Sequence, residues 1–275
     1  MLDVIAKKSL GQHWLTDVAS LTAICDSAKV GQGDTVLEIG PGQGSLTAML
    51  LERGARVMAV ELDERLASEL QQRFANQPFI LNMLSILDFD LSSLPADYKL
   101  VANIPYYLTA HLLRMLSETL HKPTITALLV QKEVAERVAA VPGDMSLISV
   151  AIQLAYEISL GQVVPAKLFT PPPKVNSQIL IMKRRAKPLF EDIDTKDFFR
   201  LVKAGFANRR KTLLNSLSAG LQLSKPETID LLASANISPS TRAQELSLTD
   251  WHRLYIASSK QYGKSSGWDI LGCFL

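Results

Sequence analysis

The chain has 275 residues, of which 47% are hydrophobic, and a formal net charge of +2. That length allows a sizeable core and two domains; no apolar run reaches the ~18 residues of a membrane helix, and the N-terminus lacks the apolar segment and cleavage site of an export signal. Two cysteines, Cys25 and Cys273, lie too far apart to suggest a disulfide framework or a metal site, so the chain is read as a cytoplasmic, metal-free protein without a membrane partner.

The stretch Lys7-Lys8-Ser9-Leu10-Gly11-Gln12-His13-Trp14-Leu15 precedes any regular element. By itself it reads as a tail leading into a helix that starts at Asp17 and continues through Val18, Leu21 and Ile24. Residues 35–39 form a β-branched apolar run, a central strand, followed by Gly40-Pro41-Gly42-Gln43-Gly44 and a helix from Ser45. Strand, glycine turn and helix in that order let backbone approach a ligand closely at a helix N-terminus. Residues 56–60 predict a second strand. Glu61 directly follows it, about 20 positions after the glycine turn, where a carboxylate accepts hydrogen bonds from ribose hydroxyls. Asp63 suits a cap on the helix over 64–74. Residues 79–83 are a third strand, and the loop Leu84-Ser85-Ile86-Leu87-Asp88 is expected over the cofactor pocket.

Residues 100–102 form a fourth strand carrying Asn103-Ile104-Pro105-Tyr106 at its carboxyl end, the edge where open parallel sheets bind ligands. A helix over 109–120, a strand over 126–130 and a helix over 132–140 follow. Residues 149–156 and 178–182 are expected to complete the sheet as strands. The proline cluster between them, 165–175, fits neither a central strand nor a helix interior and is read as a stiff loop presenting Phe169.

After Arg184-Arg185-Ala186-Lys187-Pro188 the alternation stops, and helices are expected over 195–207, 211–219, 226–235 and 249–258. This places a domain boundary near residue 185 and leaves a loose tail over 261–275. Residues 1–182 carry 14 basic and 18 acidic side chains, residues 183–275 carry 15 and 9. A basic C-terminal part fits a polyanion partner, or an ordinary solvated surface. Arg209-Arg210-Lys211, at the expected start of a helix, has the composition of a phosphate contact.

The glycine turn reads G-x-G-x-G, with Glu38 just before it and Pro41 inside, whereas a dinucleotide site wants G-x-G-x-x-G facing a pyrophosphate. This favours S-adenosylmethionine, which has no pyrophosphate, over a dinucleotide-dependent dehydrogenase. Asn103 supplies the complementary chemistry. The lone pair of an adenine N6 is delocalised into the ring. If the Asn103 oxygen and the Ile104 or Pro105 carbonyl accept its two hydrogens, the nitrogen becomes tetrahedral and nucleophilic. Pro105 fixes the turn that aims these acceptors. Tyr106 and Phe169 can stack on the two faces of the base, which must leave its own stack to arrive there.

These stretches, together with Gln131-Lys132-Glu133-Val134-Ala135-Glu136-Arg137, Phe169-Thr170-Pro171-Pro172-Pro173-Lys174-Val175-Asn176-Ser177, Phe206-Ala207-Asn208-Arg209-Arg210-Lys211-Thr212-Leu213 and Arg242-Ala243-Gln244-Glu245-Leu246-Ser247, resemble the ribosomal RNA adenine N6,N6-dimethyltransferases over residues 5–257. The resemblance implies an α/β fold: a Rossmann-like class I methyltransferase sheet with helices on both faces over 1–185, plus a small all-helical RNA-binding domain over 186–260. It implies S-adenosylmethionine as donor and two adjacent adenosines in the 3′-terminal hairpin of small-subunit (16S) rRNA, within an immature small subunit, as substrate of a monomeric enzyme. It places His13, Leu15, Gly40, Glu61 and Asn103 in the cofactor site, which draws the N-terminal stretch into the pocket. Gly42 and Ser85 join that set, Asn103, Pro105, Tyr106 and Phe169 form the catalytic set, and Lys174, Arg209, Arg210 and Lys211 are candidate RNA contacts.

Three departures from the family stand out. Ser85 replaces an aspartate that reads the cofactor's adenine amino group, which predicts weaker donor binding, with Asp88 three residues away. The loop Asp144-Met145-Ser146-Leu147-Ile148 is short and lacks a Lys-x-Tyr-Gly pattern. The tail from Gln261 matches no family motif. Ser85 also keeps open a non-catalytic reading, a nucleic-acid-binding assembly or transcription factor on the same fold.

Overall fold

The computed structural model describes residues 6–7 and 10–262. Its elements are β1 (Trp14–Leu15), α1 (Val18–Ser27), β2 (Thr35–Ile39), α2 (Ser45–Glu52), β3 (Arg56–Glu61), α3 (Ala67–Arg73), β4 (Phe79–Met83), β5 (Lys99–Asn103), α4 (Thr109–Glu118), β6 (Ile125–Gln131), α5 (Lys132–Val138), α6 (Leu147–Ala155), β7 (Tyr156–Val164), β8 (Phe169–Thr170) and β9 (Ser177–Arg184). Four helices follow: α7 (Thr195–Phe206), α8 (Leu213–Leu221), α9 (Lys225–Ser234) and α10 (Leu248–Tyr262). The chain clusters into two compact units, one made of the chain up to Ala139 with Tyr156–Arg185, the other of Ala140–Ala155 with the chain from Ala186 onward.

The first unit is built on a seven-stranded sheet of order β4-β3-β2-β5-β6-β9-β7. Strands β4 to β6 are parallel, and β9 and β7 close one edge antiparallel. Continuous apolar runs, Leu100-Val101-Ala102 in β5 and Ala127-Leu128-Leu129-Val130 in β6, are fully buried, as strands covered on both faces require. From β2 the chain steps outward to β3 and β4, then returns to β5 and steps the other way to β6. The reversal leaves a crevice at the carboxyl ends of the neighbouring strands β2 and β5, where ligands of open α/β sheets bind. The residues next to that crevice are Gly40 and Asn103.

Residues 149–156, expected as a strand, lie almost wholly in helix α6. A short apolar run carries no period of its own, and local chemistry decides: the Ser149 N–H donates to Ser146 Oγ (3.3 Å) and the Ser146 N–H to Ser149 Oγ (2.6 Å), a reciprocal cap. This helix belongs to the second unit, where Val150 packs in the core with Phe198, Leu201 and Trp251. The sheet strand is instead β7, which passes through Gly161. A Cβ there would stand 3.0 Å from Ile179 Cβ on the neighbouring β9 and 3.3 Å from Ser27 Oγ, so a larger residue would have to displace these side chains.

Phe169 is not presented from a loop. It pairs with Leu15 in the small antiparallel β1–β8 ladder and is buried, at 3% exposure. The second unit is helical, with Phe198, Leu217, Leu231 and Trp251 at its centre. Helix α10 continues to Tyr262, past the expected end at 258 and the expected start of the tail; residues 263–275 lie outside the described residues. The short loop after Pro142 is tied within this unit, since the N–H groups of Gly143 and Met145 both donate to the Gln244 carbonyl (2.9 and 3.1 Å). Among the described residues no helix is long and apolar enough to cross a membrane.

Candidate active site

Past Ile39 the chain turns through Gly40 (φ +67°) and Gly42 (φ +55°), left-handed conformations that a side chain would strain. A Cβ on Gly40 would meet nothing within 4 Å, so this turn faces open space. On Gly42 a Cβ would lie 3.2 Å from Trp14 Cδ1, so the glycine lets the indole rest on the backbone. The space is a cavity of about 210 Å³ lined by residues 10–15, the glycine turn, the ends of β3 and β5, and the loop after β4.

The β3 end fixes a carboxylate. Glu61 is buried; its Oε1 accepts from the N–H groups of Leu62 (2.7 Å) and Asp63 (2.9 Å), and its Oε2 lies 3.4 Å from the Gly42 N–H. Burial pushes its pKa up, and these backbone donors oppose the shift. Asp63 caps the turn that follows, as expected, and also accepts from the Arg65 guanidinium and from Gln12 Nε2 (2.8 Å), which hold its carboxyl down at about 2. Gln12 thereby pins the N-terminal stretch to the β3 side of the cavity.

At β5 the Asn103 amide nitrogen donates to the His13 carbonyl (3.2 Å), and no described residue donates to its Oδ1. His13 is held in turn by an Nδ1 contact of 2.7 Å to the Pro171 carbonyl, and its ring stacks on Tyr106 at 5.8 Å. The Tyr106 hydroxyl is tied to Ser177 Oγ (2.9 Å), and the Pro105 carbonyl accepts from the Leu108 N–H (3.0 Å), closing the turn. Ser85 Oγ accepts from the Leu87 N–H (3.2 Å) as the cap of a 3-10 turn.

The structure brings His13, Leu15, Gly40, Gly42, Glu61, Ser85, Asn103, Pro105, Tyr106 and Phe169 to one cavity. Asp88 is exposed and does not line it. Lys174 is exposed between β8 and β9. Arg209, Arg210 and Lys211 are exposed in the turn before Thr212, the N-cap of α8, rather than in the helix itself. Two further residues line the wall: Glu38, which precedes the glycine turn and belongs to the expected cofactor loop, and Trp14, which lies in the N-terminal stretch drawn into the pocket by the resemblance. Glu38 is fully buried, takes the Thr47 hydroxyl on Oε2 (2.7 Å), and is pushed by burial up to about 8. The buried Trp14 indole N–H has no partner among the described residues. No group of three His, Cys, Asp or Glu that could hold a metal occurs among the described residues.

A parallel sheet reversing at β2 and β5, a glycine turn beside a carboxylate, and an Asn-x-Pro-Tyr turn define a Rossmann-like class I methyltransferase site. The family model for ribosomal RNA adenine dimethylases matches residues 5–260. Ribosomal RNA small subunit methyltransferase A of Dehalococcoides mccartyi is 42% identical over 253 residues, covering 90% of this chain and 87% of its own. Its namesake from Lactococcus lactis is 41% identical over 259 residues, covering 90% and 88%. A dimethyladenosine transferase from Plasmodium falciparum superposes with a TM-score of 0.77 at 25% identity, covering 90% of this chain and 98% of that one. The 23S rRNA methyltransferase ErmE gives 0.71 at 26%, covering 89% and 98%. The chain belongs to the ribosomal RNA adenine dimethylase family.

Proposed function

We propose that the protein transfers methyl groups from S-adenosylmethionine to N6 of two adjacent adenosines in the 3′-terminal hairpin of small-subunit rRNA, giving dimethyladenosine, during assembly of the small subunit. The observation that carries this is the Asn103 amide at the cavity wall, its nitrogen bonded to the His13 carbonyl and its Oδ1 without a donor among the described residues. The cofactor supplies an electrophilic methyl on a sulfonium, and the cavity suits it. Glu61 offers a fixed carboxylate to ribose hydroxyls, and the exposed Leu62 and Leu87 offer apolar faces to adenine. Gly40 leaves room for close approach. His13, Leu15 and Ser85 complete the wall.

Asn103 Oδ1 accepts one N6 hydrogen of the target base. The Pro105 carbonyl is already engaged by Leu108, which makes the Ile104 carbonyl the better second acceptor. Two acceptors draw the N6 lone pair out of the ring. Tyr106, locked by Ser177, and Phe169, locked by β1, hold the base between rigid rings, so positioning and alignment supply the main catalytic terms. The product ammonium is acidic enough to lose its proton to water. Lys174 and the Arg209-Arg210-Lys211 turn contact RNA phosphates, and the enzyme works as a cytoplasmic monomer.

The test is incubation with S-adenosylmethionine and small subunits lacking the modification, followed by nucleoside mass spectrometry. Dimethyladenosine from the natural sequence and none from Asn103→Ala is expected. Binding of RNA with no methyl transfer would establish the non-catalytic alternative.

A further inference from the structure

Tyr107 directly follows the Asn103-Ile104-Pro105-Tyr106 turn and stands at the cavity wall with 56% of its surface open to solvent. Among the side chains described it is the one exposed phenylalanine, tyrosine or tryptophan ring. The ring is braced from one side. Gly11, at φ +60°, carries no Cβ; one built there would stand 3.3 and 3.5 Å from Tyr107 Cδ1 and Cε1, and 3.5 Å from Pro105 Cβ. Tyr107 therefore rests on backbone supplied by the N-terminal stretch, beside the proline that sets the turn. The 3-10 turn Tyr106–Leu108 runs straight into α4. Tyr107 and His111 are four residues apart in that helical stretch, on one side of it, and both are exposed. His111 lies past the residues that line the cavity. A ring at the wall, with an imidazole one turn further out, makes a ridge on which a nucleic-acid strand can lie as it leaves the cavity.

Bringing a base into the cavity breaks its stack with the bases beside it. The neighbouring base is then left with a bare face at the cavity mouth. A ring already held there replaces the lost partner, and it does so for any base, because every base has a π-face. We infer that Tyr107 is a substrate-binding residue: its ring stacks on the base next to the target adenine, one adenosine of the adjacent pair while the other occupies the cavity. The inference rests on the RNA-methylating reading above and adds the base held outside the reacting centre. Phenylalanine keeps the ring and alanine removes it, so stacking separates from any role of the hydroxyl.

The experiment is equilibrium binding of small subunits to the natural protein, Tyr107→Ala and Tyr107→Phe, with S-adenosylhomocysteine present so that no transfer occurs. The subunits are reconstituted with unmodified rRNA, or with rRNA carrying an abasic residue in place of one or the other of the two adenosines. On intact rRNA, Tyr107→Ala is expected to weaken binding about tenfold, the scale of one stacked base, and Tyr107→Phe by less than about twofold. On one of the two abasic rRNAs the stacked base is gone, and there the cost of Tyr107→Ala is expected to fall below about twofold. An equal cost on all three rRNAs, no cost on intact rRNA, or a loss in Tyr107→Phe as large as in Tyr107→Ala overturns the inference. So does a matching loss of S-adenosylmethionine affinity in Tyr107→Ala by calorimetry, which would make the ring part of the cofactor wall. Absence of dimethyladenosine after reaction of the natural protein with intact subunits contradicts the functional reading instead.

Discussion

The Asn103 amide nitrogen is bonded to the His13 carbonyl, and in the proposed reaction its oxygen accepts from the target base. Asn103→Ala should therefore cost turnover first: about 100-fold or more in kcat, on the scale of removing one preorganised hydrogen-bonding group from a reacting centre, with a far smaller change in cofactor affinity measured by calorimetry. Ser85→Asp should tighten S-adenosylmethionine several-fold, because a carboxylate can cap the same turn and accept from the adenine amino group with a full charge. Glu38 gives a pH signature. Its carboxyl is raised from the usual 4.5 to about 8 in the folded protein, so between those values the native state holds a proton that the unfolded chain releases. The contribution to stability is complete below about pH 4.5 and is lost as pH rises through about 8. Glu38→Gln carries no such proton, so its melting temperature should gain on that of the natural protein from pH 5 to pH 8; a constant difference would contradict the assignment. Asn103 and Glu61 are legible in the sequence because short motifs hold them at strand ends. Trp14 is legible only as part of the N-terminal stretch that the resemblance covers, because its packing on Gly42 exists only once the wall is built.

Among elements, the first four parallel strands follow from their apolar runs and glycine or acidic ends. The error at 149–156 has a local cause: Leu147, Val150, Ala151 and Leu154 suit a helix face as well as a buried strand, and the reciprocal serine cap that settles it is easily read as a loop. Strand β7 was hidden by Gly161 and by exposed polar positions typical of a sheet edge. In the helical unit, packing of α7 on α8 depends on Gly220, where a Cβ would stand 2.7 Å from Ala204 Cβ and 2.9 Å from its Cα. Gly220→Val should lower unfolding free energy by about 1–3 kcal/mol in a urea titration through overpacking.

For the whole molecule, the surplus of basic groups after residue 182 is where most of the proposed RNA contacts fall. Replacing Arg209, Arg210 and Lys211 by alanine should weaken RNA binding at every sequence tested and flatten its dependence on log salt, by about 0.7–0.9 for each phosphate no longer neutralised, while cofactor affinity stays the same. A basic run is visible in any sequence. That it lies in an exposed turn ahead of Thr212 rather than along a helix follows from α8 starting only at Leu213. The most direct measurement is nucleoside mass spectrometry of small-subunit rRNA after reaction with this protein and S-adenosylmethionine. The account expects N6,N6-dimethyladenosine at two adjacent positions of the 3′-terminal hairpin and none with Asn103→Ala. Methylation at another atom, or dimethyladenosine formed equally by Asn103→Ala, would contradict it.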